Sequence, residues 1–83
     1  MSANEVVVYT KTECVYCKRL KQWLKLNNYA YEELNIEEDE DARAYVKAHG
    51  NLEDGVVKMP QVRINGEFIS HQPYSNLEPY LNN

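Results

Sequence analysis

No apolar run in this 83-residue chain is long enough to cross a membrane or to form the core of a secretory signal. The first such run, Val6-Val7-Val8-Tyr9, is short, and Met1-Ser2-Ala3-Asn4-Glu5 ahead of it carries no basic segment. The expectation is a cytoplasmic protein that stays off membranes. Cysteine is scarce: there are two, Cys14 and Cys17, separated only by Val15 and Tyr16. A structural staple is not expected in a reducing cytoplasm, which leaves redox catalysis or metal binding. A tetrahedral zinc site takes four ligands, and the chain offers only His49 and His71 besides, with no histidine pair at ligand spacing, so no metal site is expected. Length is also limiting. Residues 1–83 suffice for a single domain with a modest core, so any active site lies at the surface. Positive charge is in deficit, at nine basic against thirteen acidic residues and a net charge of −4, which argues against nucleic-acid binding. No repeat or low-complexity segment interrupts the chain.

What is present is ordinary in amount and uneven in placement. The hydrophobic fraction of 43% and charged fraction of 27% are those of a soluble globular protein. Lys11, Lys18, Arg19, Lys21 and Lys25 surround the cysteines with Glu13 as the only acid among them, whereas most acids fall between Glu32 and Asp54. The cysteines thus sit in the positive part of a negative protein. Solvated helix surface is an equally good account of Lys21 and Lys25.

Val6 to Tyr9 reads as a buried central strand. From Cys14 to about Asn27, Cys17, Leu20, Trp23 and Leu24 recur at helical spacing, and Asn27-Asn28 ends the helix. Tyr29 to Ile36 reads as a second strand, parallel to the first by a right-handed crossover. Glu37, Glu38 and Asp39 open a second helix, in which Ala42, Tyr45, Val46 and His49 share one face and Gly50 terminates. His49 reads as a packing residue. Asn51 to Lys58 reads as a loop turning at Asp54-Gly55. Gln61-Val62-Arg63-Ile64 and Glu67-Phe68-Ile69-Ser70 then flank Asn65-Gly66, a strong hairpin signal. Ser75-Asn76-Leu77-Glu78 has the form of a capping box ahead of a short last helix, shortened by Pro79. The order β-α-β-α-β-β-α implies an α/β fold: a four-stranded mixed sheet flanked by three helices.

A cycling dithiol needs one thiolate that attacks a substrate disulfide and a second thiol that resolves the mixed disulfide. Two intervening residues in a first helical turn meet that need. Cys14, facing unpaired N–H groups at the helix N-terminus with Lys11 and Lys18 nearby, is expected to titrate below the free value of about 8.5 and to act as nucleophile. Cys17, one turn on and on the apolar side, is expected to be the buried resolving thiol. Trp23, Tyr31, Tyr45 and Phe68 read as core or half-buried aromatics, and His71 as a solvent-exposed loop residue.

The segment from Tyr9 through Lys11 to Cys14-Val15-Tyr16-Cys17 resembles the active-site segment of glutaredoxins, and Met59-Pro60-Gln61-Val62 resembles their cis-proline segment. The resemblance runs over nearly the whole chain. It implies the thioredoxin-like fold and reduction of protein disulfides and glutathione mixed disulfides, with glutathione as co-substrate and no tightly bound cofactor. Position by position, it implies that Lys11 pairs with a glutathione carboxylate, Tyr16 borders the tripeptide, and Met59, held by Pro60, offers backbone groups to the cysteinyl unit. Read from the chain alone, Pro60 in trans at the start of a strand is the default. Ser75 and Asn76 are candidates for the γ-glutamyl end, and Ser75 is equally an ordinary helix cap. The chain departs from the family at Val15, where many members have proline, and at Ser70-His71-Gln72-Pro73-Tyr74-Ser75-Asn76, where relatives commonly carry a Gly-Gly pair and then acids. The resemblance also leaves alternatives: a redoxin reduced by thioredoxin reductase, a dimer holding an iron-sulfur cluster through Cys14 and two glutathiones, or a zinc-linked assembly module. A monomer is expected, with disulfide-containing clients, ribonucleotide reductase among the candidates.

Overall fold

The structure, a computed structural model, describes residues 5–50, 52–53, 56–57, 59–69 and 74–81. Strands β1 (Val6–Thr10), β2 (Glu32–Asn35), β5 (Gln61–Ile64) and β6 (Glu67–Ile69) form one sheet in the order β2-β1-β5-β6. β1 pairs in parallel with β2, with Tyr9 opposite Leu34, and antiparallel with β5, with Tyr9 opposite Gln61. A two-residue connection, Asn65-Gly66, joins β5 to β6 with φ of 52° and 87°, the positive values that a tight hairpin turn requires. Asn65 also binds the entering chain: its N–H donates to the Glu5 carbonyl at 2.8 Å, and its Oδ1 accepts the Glu5 N–H at 2.9 Å.

Alternation along β1 divides the core. Val6 and Val8 join Leu20 and Leu24 of α1 (Val15–Leu26), Val62, Ile64, Ile69 and Leu77 on one face. Val7 and Tyr9 meet Ala42 and Val46 of α2 (Glu40–His49) on the other. The central strand is therefore buried at every position and apolar from Val6 to Tyr9, because helices cover the sheet on both sides. Trp23 is half-buried against Tyr29 and Tyr74, at ring-centroid distances of 5.7 and 5.2 Å. Tyr31, Tyr45 and Phe68 are half-buried too, as expected.

Local chemistry explains the helix ends. After α1, Asn28 takes a left-handed φ of 62°, its N–H donates to the Lys25 carbonyl at 3.1 Å, and the Tyr29 N–H reaches the Leu24 carbonyl at 2.9 Å. Those two bonds make a Schellman motif with asparagine in the usual glycine place. At the end of α2, Gly50 has φ of −77°, so its role is space and not a left-handed turn. A Cβ there would lie 2.7 Å from the Val46 carbonyl oxygen.

Four expectations change. The segment between α2 and β5, read as a loop, contains two short antiparallel strands, β3 (Leu52–Glu53) and β4 (Val56–Val57). The Asp54-Gly55 turn, like Ser70-His71-Gln72-Pro73, lies outside the described residues. α2 starts at Glu40 with Asp39 as its cap, so Glu37 and Glu38 precede the helix in a turn. Ser75 does not cap an α-helix: it lies inside a 3-10 turn, Tyr74–Asn76, and α3 (Glu78–Leu81) follows. Pro79 supplies the reason, since an α-helical bond to the Ser75 carbonyl would need the N–H that proline lacks. The chain instead closes the tighter Leu77 N–H to Tyr74 carbonyl bond at 2.9 Å. Lastly, His49 is exposed rather than packed in the core; its ring rests on Tyr45 at 4.7 Å between centroids. No helix among the described residues is long and apolar enough to cross a membrane.

Candidate active site

β1 ends at Thr10, and three exposed residues, Lys11, Thr12 and Glu13, carry the chain to the head of α1. Glu13 has a φ of 58°, a conformation that turns the backbone sharply just before the first cysteine. Cys14 is then the N-cap residue, with extended backbone angles, and its Sγ accepts the Cys17 N–H at 3.1 Å. Cys14 and Cys17 are joined as a disulfide, with Cα atoms 5.2 Å apart, well within the span of such a bond.

Both sulfurs are covered in this oxidised state. Cys14 is 6% exposed and Cys17 is 2% exposed, so Cys17 is the deeper of the two by a small margin. The open surface belongs to the residues between them, with Val15 59% and Tyr16 56% exposed. The Arg19 guanidinium stands 5.9 Å from the Tyr16 ring centroid, and Lys18 is exposed beside it. An apolar, basic rim therefore surrounds a recessed disulfide.

The other half of the site arrives from β5. Pro60 immediately precedes Gln61, the partner of Tyr9, which brings Met59 and Pro60 to the same end of the sheet as Thr10 and Cys14. The Met59-Pro60 peptide bond is cis. Pro60 is buried, and Met59 packs partly buried against the Val7, Tyr9, Ala42 and Val46 cluster. Lys11, Cys14, Tyr16, Cys17, Met59 and Pro60 thus gather at one sheet end. Ser75 and Asn76 line a shallow groove of about 520 Å³ with Glu67, Phe68, Ile69, Pro79 and Tyr80, along the β6 side.

Sequence reasoning missed the acidic braces of this end. The Glu37 Oε1 accepts the Thr12 N–H at 2.9 Å, and the Glu37 N–H donates to Asn35 Oδ1 at 2.8 Å. Hydrogen bonds from Thr12, first from its hydroxyl and then from its N–H, hold the Glu37 carboxyl below the usual carboxylate range, with the Lys11 charge adding to them. Further along β2, Glu33 Oε2 accepts from Lys21 Nζ at 2.9 Å and from the Thr10 hydroxyl at 2.8 Å. Lys21 foremost, opposed by partial desolvation and helped by Thr10, lowers the Glu33 pKa. Lys21 is accordingly a brace between α1 and β2. No local pattern signals these pairs, because their partners are 12 to 25 residues apart. Burial raises the pKa of Tyr9, which lies beneath Arg63 at 5.7 Å. Among the described residues, no group of three or more histidines, cysteines and acids is placed to hold a metal ion.

A glutaredoxin family model matches residues 6–69. The glutaredoxin-like protein NrdH of Lactococcus lactis is 46% identical over 33 residues, a match spanning 40% of this chain and 46% of that protein, so less than half of the relative is covered. Glutaredoxin 1 from Francisella tularensis, solved in complex with cacodylate, is 30% identical with a TM-score of 0.71, and covers 98% of this chain and 100% of its own. A buckwheat glutaredoxin–glutathione complex is 28% identical with a TM-score of 0.69, over 95% of this chain and 77% of its own. With its strand order, its recessed Cys14–Cys17 pair at a helix N-terminus and a family match over most of its length, the chain belongs to the glutaredoxin family, as a thiol-disulfide oxidoreductase of thioredoxin-like fold.

Proposed function

We propose that residues 1–83 act as one glutaredoxin domain in the cytoplasm, reducing protein disulfides and glutathione mixed disulfides with glutathione as donor. The observation that carries this reading is the exposed Lys11 cation three residues ahead of the N-capping Cys14, at the sheet end shared with Tyr16, Met59 and Pro60. A small anionic thiol is offered a charge, a ring and a strand edge around one sulfur. Lys11 would hold a carboxylate, Tyr16 would flank the tripeptide, and Met59 would pair with its backbone. Ser75 and Asn76 would meet its γ-glutamyl end.

In the reductive half-cycle the Cys14 thiolate attacks one sulfur of the client disulfide. The client's other sulfur leaves as a thiolate and takes a proton. Cys17 gives up its proton and attacks the Cys14 sulfur, which releases the second client thiol and forms the Cys14–Cys17 bond. A glutathione thiolate then attacks Cys14, expelling Cys17, and a second glutathione removes the first as glutathione disulfide. Two electrons pass from two glutathiones to one client. The N-cap position favours Cys14 as attacking and leaving sulfur, because N–H groups and the helix dipole stabilise its thiolate.

A second reading has one observation in its favour: the 46% identity with NrdH over 33 residues. On this reading the chain is a redoxin whose disulfide is reduced by thioredoxin reductase. Ribonucleotide reductase is a client compatible with either donor, by family resemblance. The two readings separate when oxidised protein is mixed with reduced glutathione alone, and separately with thioredoxin reductase and NADPH, and its redox state is read by intact mass. Prompt reduction by glutathione, together with a glutathione cap on a Cys17→Ser variant mapped to Cys14, supports the first. A disulfide untouched by glutathione but reduced by the flavoprotein replaces it with the second.

A further inference from the structure

Glu37 stands where the exchange chemistry calls for no carboxylate. Its Oε1 is anchored to the N–H of Thr12, at 2.9 Å, and Thr12 is the residue between Lys11 and Glu13 on the loop that leads to Cys14. The anchor is braced from behind: the Glu37 N–H binds Asn35 Oδ1 at 2.8 Å, while Asn35 Nδ2 is 3.5 Å from Thr12 Oγ1. An exposed anion is thereby fixed on the residue next to Lys11, the cation expected to receive a glutathione carboxylate, and the Lys11 charge reaches it.

We propose that Glu37 is a specificity-determining residue: an internal carboxylate that competes for Lys11 and so weakens the binding of anionic thiols, glutathione included, relative to uncharged ones. The proposal rests on Lys11 engaging glutathione, as set out above. Glutathione carries two carboxylates and one ammonium at neutral pH, so its net charge is negative and a neighbouring carboxylate repels it. Glu37 belongs to the turn ahead of α2, not to the helix, and its bond to Thr12 holds it against the loop in place of a freely solvated side chain. For charges at a solvent-exposed site, the competition amounts to about two- to fivefold in affinity.

The test is Glu37→Gln, which removes the charge and keeps an amide oxygen able to accept the Thr12 N–H. Reduction of a peptide disulfide, in which the added thiol must first attack the Cys14–Cys17 bond, is followed against glutathione concentration, and mercaptoethanol serves as an uncharged thiol in a parallel series. The expected result is a KM for glutathione lowered about two- to fivefold with little change in kcat, an unchanged mercaptoethanol series, and a difference that shrinks at high salt. In a Lys11→Ala background the same substitution has little effect on KM. An unaltered or raised KM for glutathione in a wild-type protein that does use glutathione overturns the Glu37 assignment alone. Equal gains with mercaptoethanol overturn it too, because they locate the change in the dithiol and not in charge recognition. If neither wild type nor Glu37→Gln is reduced by glutathione, the glutathione reading fails and this one fails with it.

Discussion

The two long helices begin with the same geometric device built from different chemistry. At the head of α2 the Asp39 Oδ1 accepts the Ala42 N–H at 3.0 Å; at the head of α1 the Cys14 Sγ accepts the Cys17 N–H at 3.1 Å. Each side chain satisfies an N–H that the first turn leaves without a backbone partner. Their surroundings diverge. α2 adds Glu40 and Asp41 in its first turn, whereas α1 has no acid there. Acids in that turn would oppose the Cys14 thiolate, so their absence from it leaves the positive end of the dipole to the sulfur. A cap that only closes a helix tolerates any acceptor. A cap that also reacts needs an atom that loses its proton near neutral pH and attacks sulfur.

The comparison is broken most severely at the reactive cap. Cys14→Ser keeps an N-capping oxygen, so disulfide reductase activity falls to background while the melting temperature of the reduced protein stays close to wild type. Substantial remaining activity in an insulin-reduction assay would mean that Cys17 serves as nucleophile and that the two caps are not chemically distinct. Next in size is the packing of α1 on its own face of the sheet. Leu24→Ala, at a fully buried position of the α1 stripe, is expected to cost about 2–5 kcal/mol in urea unfolding of the reduced protein. A cost well under 1 kcal/mol would place Leu24 outside the core. Asp39→Ala, which removes the structural cap alone, should cost about 1 kcal/mol and leave dithiol exchange rates intact. Slowed exchange would show that the α2 cap supports the chemistry after all.

The smallest effect belongs to the brace between α1 and β2. Glu33→Gln should lose less than about 1 kcal/mol, since the Lys21 pair is partly exposed. Its sign with pH is definite. The folded-state pKa of Glu33 lies below its unfolded value, so the folded protein binds fewer protons and the contribution is fully present above the unfolded carboxylate pKa of about 4.3. It disappears as pH falls through the lowered folded value. Wild type and Glu33→Gln should therefore differ in unfolding free energy at neutral pH and converge in strong acid; a constant difference across that range would exclude the ionised pair as its source.

Much of this was legible in the residues because it depends on near neighbours. The four β-branched and aromatic residues from Val6 to Tyr9 marked a buried strand, the spacing of Cys17, Leu20 and Leu24 marked a stripe, and Asn65-Gly66 marked a hairpin with the register now seen. The cysteine pair at the start of that stripe located the chemistry for the same reason. The boundaries were less legible. Asp39 rather than Glu37 caps α2, because several acids in succession are each able to cap and only the turn built on Asn35 chooses among them.

Local sequence periodicity thus specified the order of strands and helices, the apolar faces and the reactive helix terminus, since each follows from the 3.6- and 2-residue repeats of the backbone. Tertiary packing brought the Met59-Pro60 segment to the sheet end of Cys14, tied Lys21 to Glu33 and set Glu37 against the loop of Lys11. Those features join residues far apart in the chain, and a pairing of that kind has no periodicity to read: it exists only once the sheet has fixed which loops meet.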